Sequence, residues 1–141
     1  MSAESALRCP SAQPTTDDAQ VLGVVTGAAG TPRIAYLNAR LPAVALAGAT
    51  GGLPATRVLR FAARCESSQC VHYDGNACRL ASRIVAGLDP VVDALPPCTI
   101  RRTCRWHAQE GRAACLRCPQ VVTAPAPGSE GRLADVAGLP A

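Results

Sequence analysis

The chain has 141 residues, a net charge of +4 and 48% hydrophobic residues, with one Phe, one Trp, two Tyr and one Met among them. So few large side chains make a thin core for one domain, and a loop-rich complement of 12 Gly and 12 Pro points to a covalent or metal staple, for which the eight cysteines are the material. All 14 basic residues are Arg. A phosphate-binding P-loop and a pyridoxal Schiff base both need Lys and are excluded, and G-x-S-x-G and G-x-G-x-x-G are absent.

Residues 1–19 read as a flexible N-terminal segment. Residues 20–123 read as a single domain, with a β-hairpin part at 20–63 and a cysteine-rich part at 64–123. Residues 124–141 (APAPGSEGRLADVAGLPA) read as a flexible tail. Val21–Thr26 and Arg33–Leu37 are apolar runs of strand length around a Gly- and Pro-containing turn, which predicts a hairpin. Leu41–Pro54 mixes small apolar residues with Gly and Pro and reads as loop with weak helix. Thr56–Ala62 alternates Val58, Arg60 and Ala62 with Arg57, Leu59 and Phe61 and predicts a third strand. Ala77–Leu88 is the main predicted helix, with Leu80, Ala81, Ile84, Val85 and Leu88 on one face. Asp74-Gly75-Asn76 supplies a turn and an N-cap, and Asp89-Pro90 ends the helix. Val91–Leu95 predicts one further turn. The fold class is a small, loop-rich, metal-stapled α+β domain.

The N-terminus lacks a basic stretch followed by an apolar one, and no run is apolar enough to span a bilayer. A cytoplasmic location is therefore expected, where thiols stay reduced and cysteine clusters favour metal over disulfides. Seven cysteines follow residue 60, as Cys65-x4-Cys70-x7-Cys78-x19-Cys98-x5-Cys104-x10-Cys115-x2-Cys118. Grouping by locality predicts one complete site at Cys98, Cys104, Cys115 and Cys118. A second is predicted at Cys65, Cys70 and Cys78, with Cys9 as fourth ligand and His72 as its substitute.

Four converging thiolates suit either an iron–sulfur cluster or zinc. Two C-x2-C knuckles would mark zinc, and there is only one, Cys115 to Cys118. Irregular spacing and the Cys-Pro pairs at Cys9 and Cys118 favour one or two iron–sulfur clusters, of 4Fe-4S type, with zinc as the alternative. From Arg57 to Arg117 ten arginines face five acids, so positive charge sits where the cysteines are. Arg101, Arg102, Arg105 and Arg117 are the candidates for stabilising an anionic cluster.

The segments Cys65–Leu80 (CESSQCVHYDGNACRL) and Cys98–Thr123 (CTIRRTCRWHAQEGRAACLRCPQVVT) resemble small cysteine-rich bacterial proteins that sometimes carry a nitrogen fixation label. Arg101–Trp106 is loosely similar to a family of iron- or zinc-chelating bacterial proteins, whose double-cysteine motif is absent here.

The expected function is electron transfer, or service as accessory to a redox enzyme, with a redox protein as partner. The alternative is a zinc-stabilised module binding nucleic acid or protein. Phe61, Tyr73 and Trp106 are few aromatics for base stacking, which weighs against nucleic acid. No constellation specifies a catalytic residue, and the Cys115–Cys118 dithiol lacks the strand before it that a thioredoxin-type site needs.

Overall fold

A computed structural model describes residues 7–16, 18–27, 31–46, 48, 50–66, 70 and 73–123. The predicted hairpin forms from β2 (Gln20–Thr26) and β3 (Arg33–Pro42), paired antiparallel from Thr26↔Arg33 to Gln20↔Pro42. The register shifts between Val21 and Gly23. Gly23 fits there because Ile34 and Ala35 press so closely that no Cβ could be placed.

The third strand, β4 (Leu59–Arg64), starts later than the alternation suggests, because Ala55–Val58 first make one helical turn, α1. The alternation itself survives in β4. Leu59 and Phe61 join Val21 in a small cluster on one sheet face, covered by α1 and by the 3-10 turn Ala43–Leu46. Arg60 and Ala62 face the other side.

Arg8–Ala12, inside the segment expected to be flexible, form strand β1, which pairs antiparallel with β4 through Arg8↔Arg64 and Cys9↔Ala63. The sheet order is β1-β4-β2-β3, so β4 is central and buried on both faces.

The predicted helix is α2 (Arg79–Gly87), with Leu80, Ala81 and Ile84 buried. Asp74 makes the turn ahead of it, its Oδ1 accepting from the N–H groups of Asn76 and Ala77 at 2.9 and 2.8 Å. The cap position itself is held by Cys78, not by this turn. Val91–Leu95 form bends, not a helical turn; with Pro90 before and Pro96-Pro97 after, too few N–H groups are available to close one.

Two short helices, α3 (Arg105–Glu110) and α4 (Arg112–Arg117), follow and meet at Gly111, whose φ of 69° only glycine adopts freely. Helices α2, α3 and α4 lie on the Arg60 face of the sheet. Their core is Leu22, Ala62, Leu80, Ile84, Ile100, Trp106, Ala114 and Val121, with Cys78, Cys104 and Cys118 among them. The chain is thus a two-layer α+β fold. No described helix is long and apolar enough to cross a membrane. The predicted tail, residues 124–141, and His72 lie outside the described residues.

Candidate metal centre

All eight cysteines are free thiols. Different elements carry them to two places. Cys9 comes from β1, Cys65 follows β4, Cys70 sits in the loop beyond, and Cys78 caps α2. These four line one cavity of about 350 Å³, together with Ser11, Tyr73, Arg105 and Trp106. Cys98 precedes the 3-10 turn Arg101–Thr103, Cys104 caps α3, Cys115 lies in α4, and Cys118 opens the 3-10 turn Cys118–Gln120. These four line a second void of about 20 Å³ with Pro10, Leu22, Tyr36, Arg101 and Trp106. The structure thus brings Cys9, Cys65, Cys70 and Cys78 to one cavity and Cys98, Cys104, Cys115 and Cys118 to the other. As placed, no three His, Cys, Asp or Glu side chains among the described residues converge as ligands of one ion.

Burial dominates the thiol chemistry. It pushes Cys9 up to about 12, with the neighbouring Cys78, Cys65 and Cys70 adding to the shift against the pull of the Ser11 N–H. Burial likewise pushes Cys104 up to about 12, although the N–H groups of His107 and Trp106 at the start of α3 favour its thiolate. Cys78 and Cys98 are raised for the same first reason. At Cys9 and Cys78 in one set, and Cys98 and Cys104 in the other, a thiolate is thus costly unless a cation joins it. Gln109 braces the larger cavity: its Oε1 accepts from the Cys78 N–H and its Nε2 donates to the Cys78 carbonyl, both at 2.8 Å. In the smaller set, Cys115 Sγ lies 3.3 Å from His107 Nδ1.

The four arginines expected at the cluster separate. Arg105 is buried, lines the larger cavity and lies over Tyr73, with 5.6 Å to the ring centroid. Arg101 lines the smaller void and donates to the Pro96 carbonyl. Arg117 lies at neither; it donates from Nε to the Leu88 carbonyl at 2.7 Å and from a terminal nitrogen to the Ala113 carbonyl at 2.8 Å. Arg102 is exposed.

The arginine at the heart of the smaller site is Arg60, which the charge count by region concealed. It is 0% exposed. Its Nε donates to the Pro10 carbonyl at 2.6 Å, and one terminal nitrogen to the carbonyls of Cys118 at 2.5 Å and Val121 at 3.1 Å. The other terminal nitrogen reaches Cys118 Sγ at 2.6 Å. Among the described residues no carboxylate forms an ion pair with it. Burial works against its charge, but the Cys118 sulfur and Tyr36 oxygen outweigh this and hold the guanidinium protonated. Tyr36, also hydrogen-bonded to Cys118, is itself raised, first by burial and then by that sulfur. An Arg facing inward from an otherwise apolar strand was the available signal for this role. In comparisons with known proteins, no family model, no curated protein and no solved structure matches the chain.

Proposed function

We propose that this chain is an iron–sulfur protein of the cytoplasm that carries electrons, or serves as accessory to a redox enzyme, with a redox protein as partner. The observation that carries the reading is the sorting of eight free thiols into two sets of four, each around its own cavity. Cys9, Cys65, Cys70 and Cys78, around the larger cavity, would hold a cluster, and Cys98, Cys104, Cys115 and Cys118, around a void of only about 20 Å³, form the second candidate set.

Three features fit an anionic, sulfur-rich group. The Trp106 Nε1–H is buried with no acceptor among the described residues, and thiolate or sulfide sulfur would supply one. Arg60 is a buried cation with one terminal nitrogen 2.6 Å from the Cys118 sulfur, a candidate thiolate. A buried guanidinium cannot shed its proton, so an anion beside it offsets a cost of several kcal/mol. The third feature is size. Tetrahedral zinc, with Zn–S of about 2.3 Å, draws its sulfurs to roughly 3.8 Å of one another. The thiols around the about 350 Å³ cavity ring a larger space, which suits a cluster with one iron per thiolate.

The test is iron, zinc and acid-labile sulfide content with an absorption spectrum, on protein purified without oxygen. Iron and sulfide in near-equal amounts, with a brown colour lost on Cys-to-Ser substitution, is the expected result. A colourless protein with stoichiometric zinc would overturn the reading. It would favour the zinc module, to be checked by nucleic-acid binding against salt.

A further inference from the structure

The larger cavity carries more on its wall than thiols. Its volume of about 350 Å³ lies within the range of small-molecule pockets. It opens to solvent past Gln13, Arg64 and Glu66, which are exposed. Its inner wall is apolar, formed by the buried Leu80, Trp106, Val121 and Val122.

Two buried polar groups stand in that wall. Arg105 is 5% exposed, with its guanidinium over the Tyr73 ring. Trp106 is 1% exposed, and its Nε1–H has no acceptor among the described residues. Ser11 and Thr123, whose hydroxyl oxygens lie 2.6 Å apart, add a further hydrogen-bonding group. Among the arginines and carboxylates of the lining, Arg64 and Arg105 outnumber Glu66, which leaves one positive charge over. A guanidinium offers two parallel N–H groups that match a carboxylate, and a charged oxygen is a stronger acceptor than a neutral one. One excess positive charge suits a monoanion better than a doubly charged phosphate, and the apolar wall suits a hydrocarbon body.

We propose that the larger cavity binds a small organic carboxylate. Arg105 holds the carboxylate, the Trp106 Nε1–H donates to an oxygen of the ligand, and Leu80, Val121 and Val122 cover its apolar body. The site goes beyond the iron–sulfur reading and does not rest on it, since it uses none of the four thiols. A cluster on Cys9, Cys65, Cys70 and Cys78 would fill the same space, so cluster and carboxylate exclude one another.

The experiment uses the full chain, reduced and purified without oxygen, and three ring compounds of similar shape and different charge: benzoate, benzamide and benzamidine. Wild type is run beside a Cys65→Ser/Cys70→Ser variant, which keeps the arginines, the indole and the apolar wall but cannot complete a cluster in this cavity. Equilibrium dialysis counts bound ligand. Emission from Trp106, the one Trp of the chain, reports whether the ligand lies in the cavity. The variant should bind one benzoate per chain with a change in that emission, about tenfold or more tighter than benzamide, and benzamidine more weakly still.

In the same background, Arg105→Gln should bring benzoate down to the affinity of benzamide and leave benzamide where it was, and Arg105→Lys should restore part of the difference. If Arg105→Gln folds poorly, Arg64→Gln at the exposed mouth should still weaken benzoate about threefold, and Arg102→Gln, on the lining of neither cavity, should not. No saturable binding, equal affinity for the three compounds, or binding that leaves Trp106 emission unchanged would overturn the site. Iron analysis of the same samples judges the iron–sulfur reading separately. An iron-free wild type that binds benzoate would sink that reading and leave this one standing. An iron-loaded wild type that binds benzoate as tightly as the variant would overturn the mutual exclusion.

Discussion

Replacing Arg60 by Met tests whether the smaller thiol set is charged in the native protein. Met is long, apolar and adaptable, so packing against Trp106 largely survives. What disappears is the fork that reaches Pro10, Cys118 and Val121 carbonyls and the Cys118 sulfur. If that sulfur is a metal-bound thiolate, the substitution removes one partner of a buried charge pair, at a cost of about 3–5 kcal/mol. That is a large share of the roughly 5–15 kcal/mol by which a domain is stable. If the sulfur is a neutral thiol, Arg60 is an uncompensated buried cation. Met then relieves its desolvation, and the change falls to about 1 kcal/mol or reverses sign. Urea unfolding of wild type and variant, each metal-loaded and each stripped and reduced, separates the cases. We expect the large loss in the loaded pair and the small one in the stripped pair. Equal losses in both states would refute charge balance as the role of Arg60.

Metal-stripped protein should lose stability as pH rises from 8 to 10. Burial lifts Cys9 and Cys104 from 9.0 to about 12, so the native state keeps protons that the unfolded chain releases. Their contribution is full below about pH 9 and fades as pH climbs toward 12. The urea midpoint should therefore fall with pH when stripped, and not when loaded, because bound thiolates are already deprotonated. Gly23→Ala should cost about 2 kcal/mol or more, read as a lower melting temperature, since its Cβ would meet Ile34 Cγ2 at 2.5 Å and the Ala35 carbonyl oxygen at 2.7 Å. Gln109→Leu removes both bonds to the Cys78 backbone and should cost about 1–3 kcal/mol. Under a chelator it should release metal from the larger cavity first, judged by comparing iron loss in the Cys65→Ser/Cys70→Ser background.

The elements that could be read in advance are those whose patterns are local. The β2–β3 hairpin and α2 carry their own periodicity, and both lie where it places them. The strand β1 does not. Arg-Cys-Pro-Ser-Ala has no strand signature, and it becomes a strand by pairing with distant residues, Arg64, Ala63 and Phe61 of β4. The α3–α4 segment was equally hidden, because Gly111 splits it into two helices of six residues, each too short to show a helical period. The cysteine grouping was legible for a similar reason: the smaller set spans only Cys98 to Cys118 along the chain. Cys9 entered the larger set by counting ligands, and the strand pairing of β1 supplies the physical cause. Charge read by region misled at Arg60, because a net positive stretch does not say which arginine points inward.

Four of the arginines hold the loop that carries Cys98. The chain between Leu88 and Arg101 contributes Cys98 but no strand or helix, so its carbonyls need donors from elsewhere. Guanidinium groups supply them: Arg117 to Leu88, Arg112 to Asp93 at 3.0 Å, Arg101 to Pro96, and Arg40 to Thr99 at 3.0 Å. A guanidinium offers five N–H groups in a rigid plane and can hold two carbonyls at once, as Arg117 holds Leu88 and Ala113. A lysine places three donors on one flexible point. Arg117→Lys therefore keeps the charge but should lose one of the two carbonyls, with about 1 kcal/mol of stability and faster loss of metal from the smaller set. Arg102→Lys, at an exposed position, should change neither by more than about 0.5 kcal/mol. Urea unfolding and chelator release on the two variants decide the matter. If they behave alike, the arginines act through charge, and the geometric account of the loop fails.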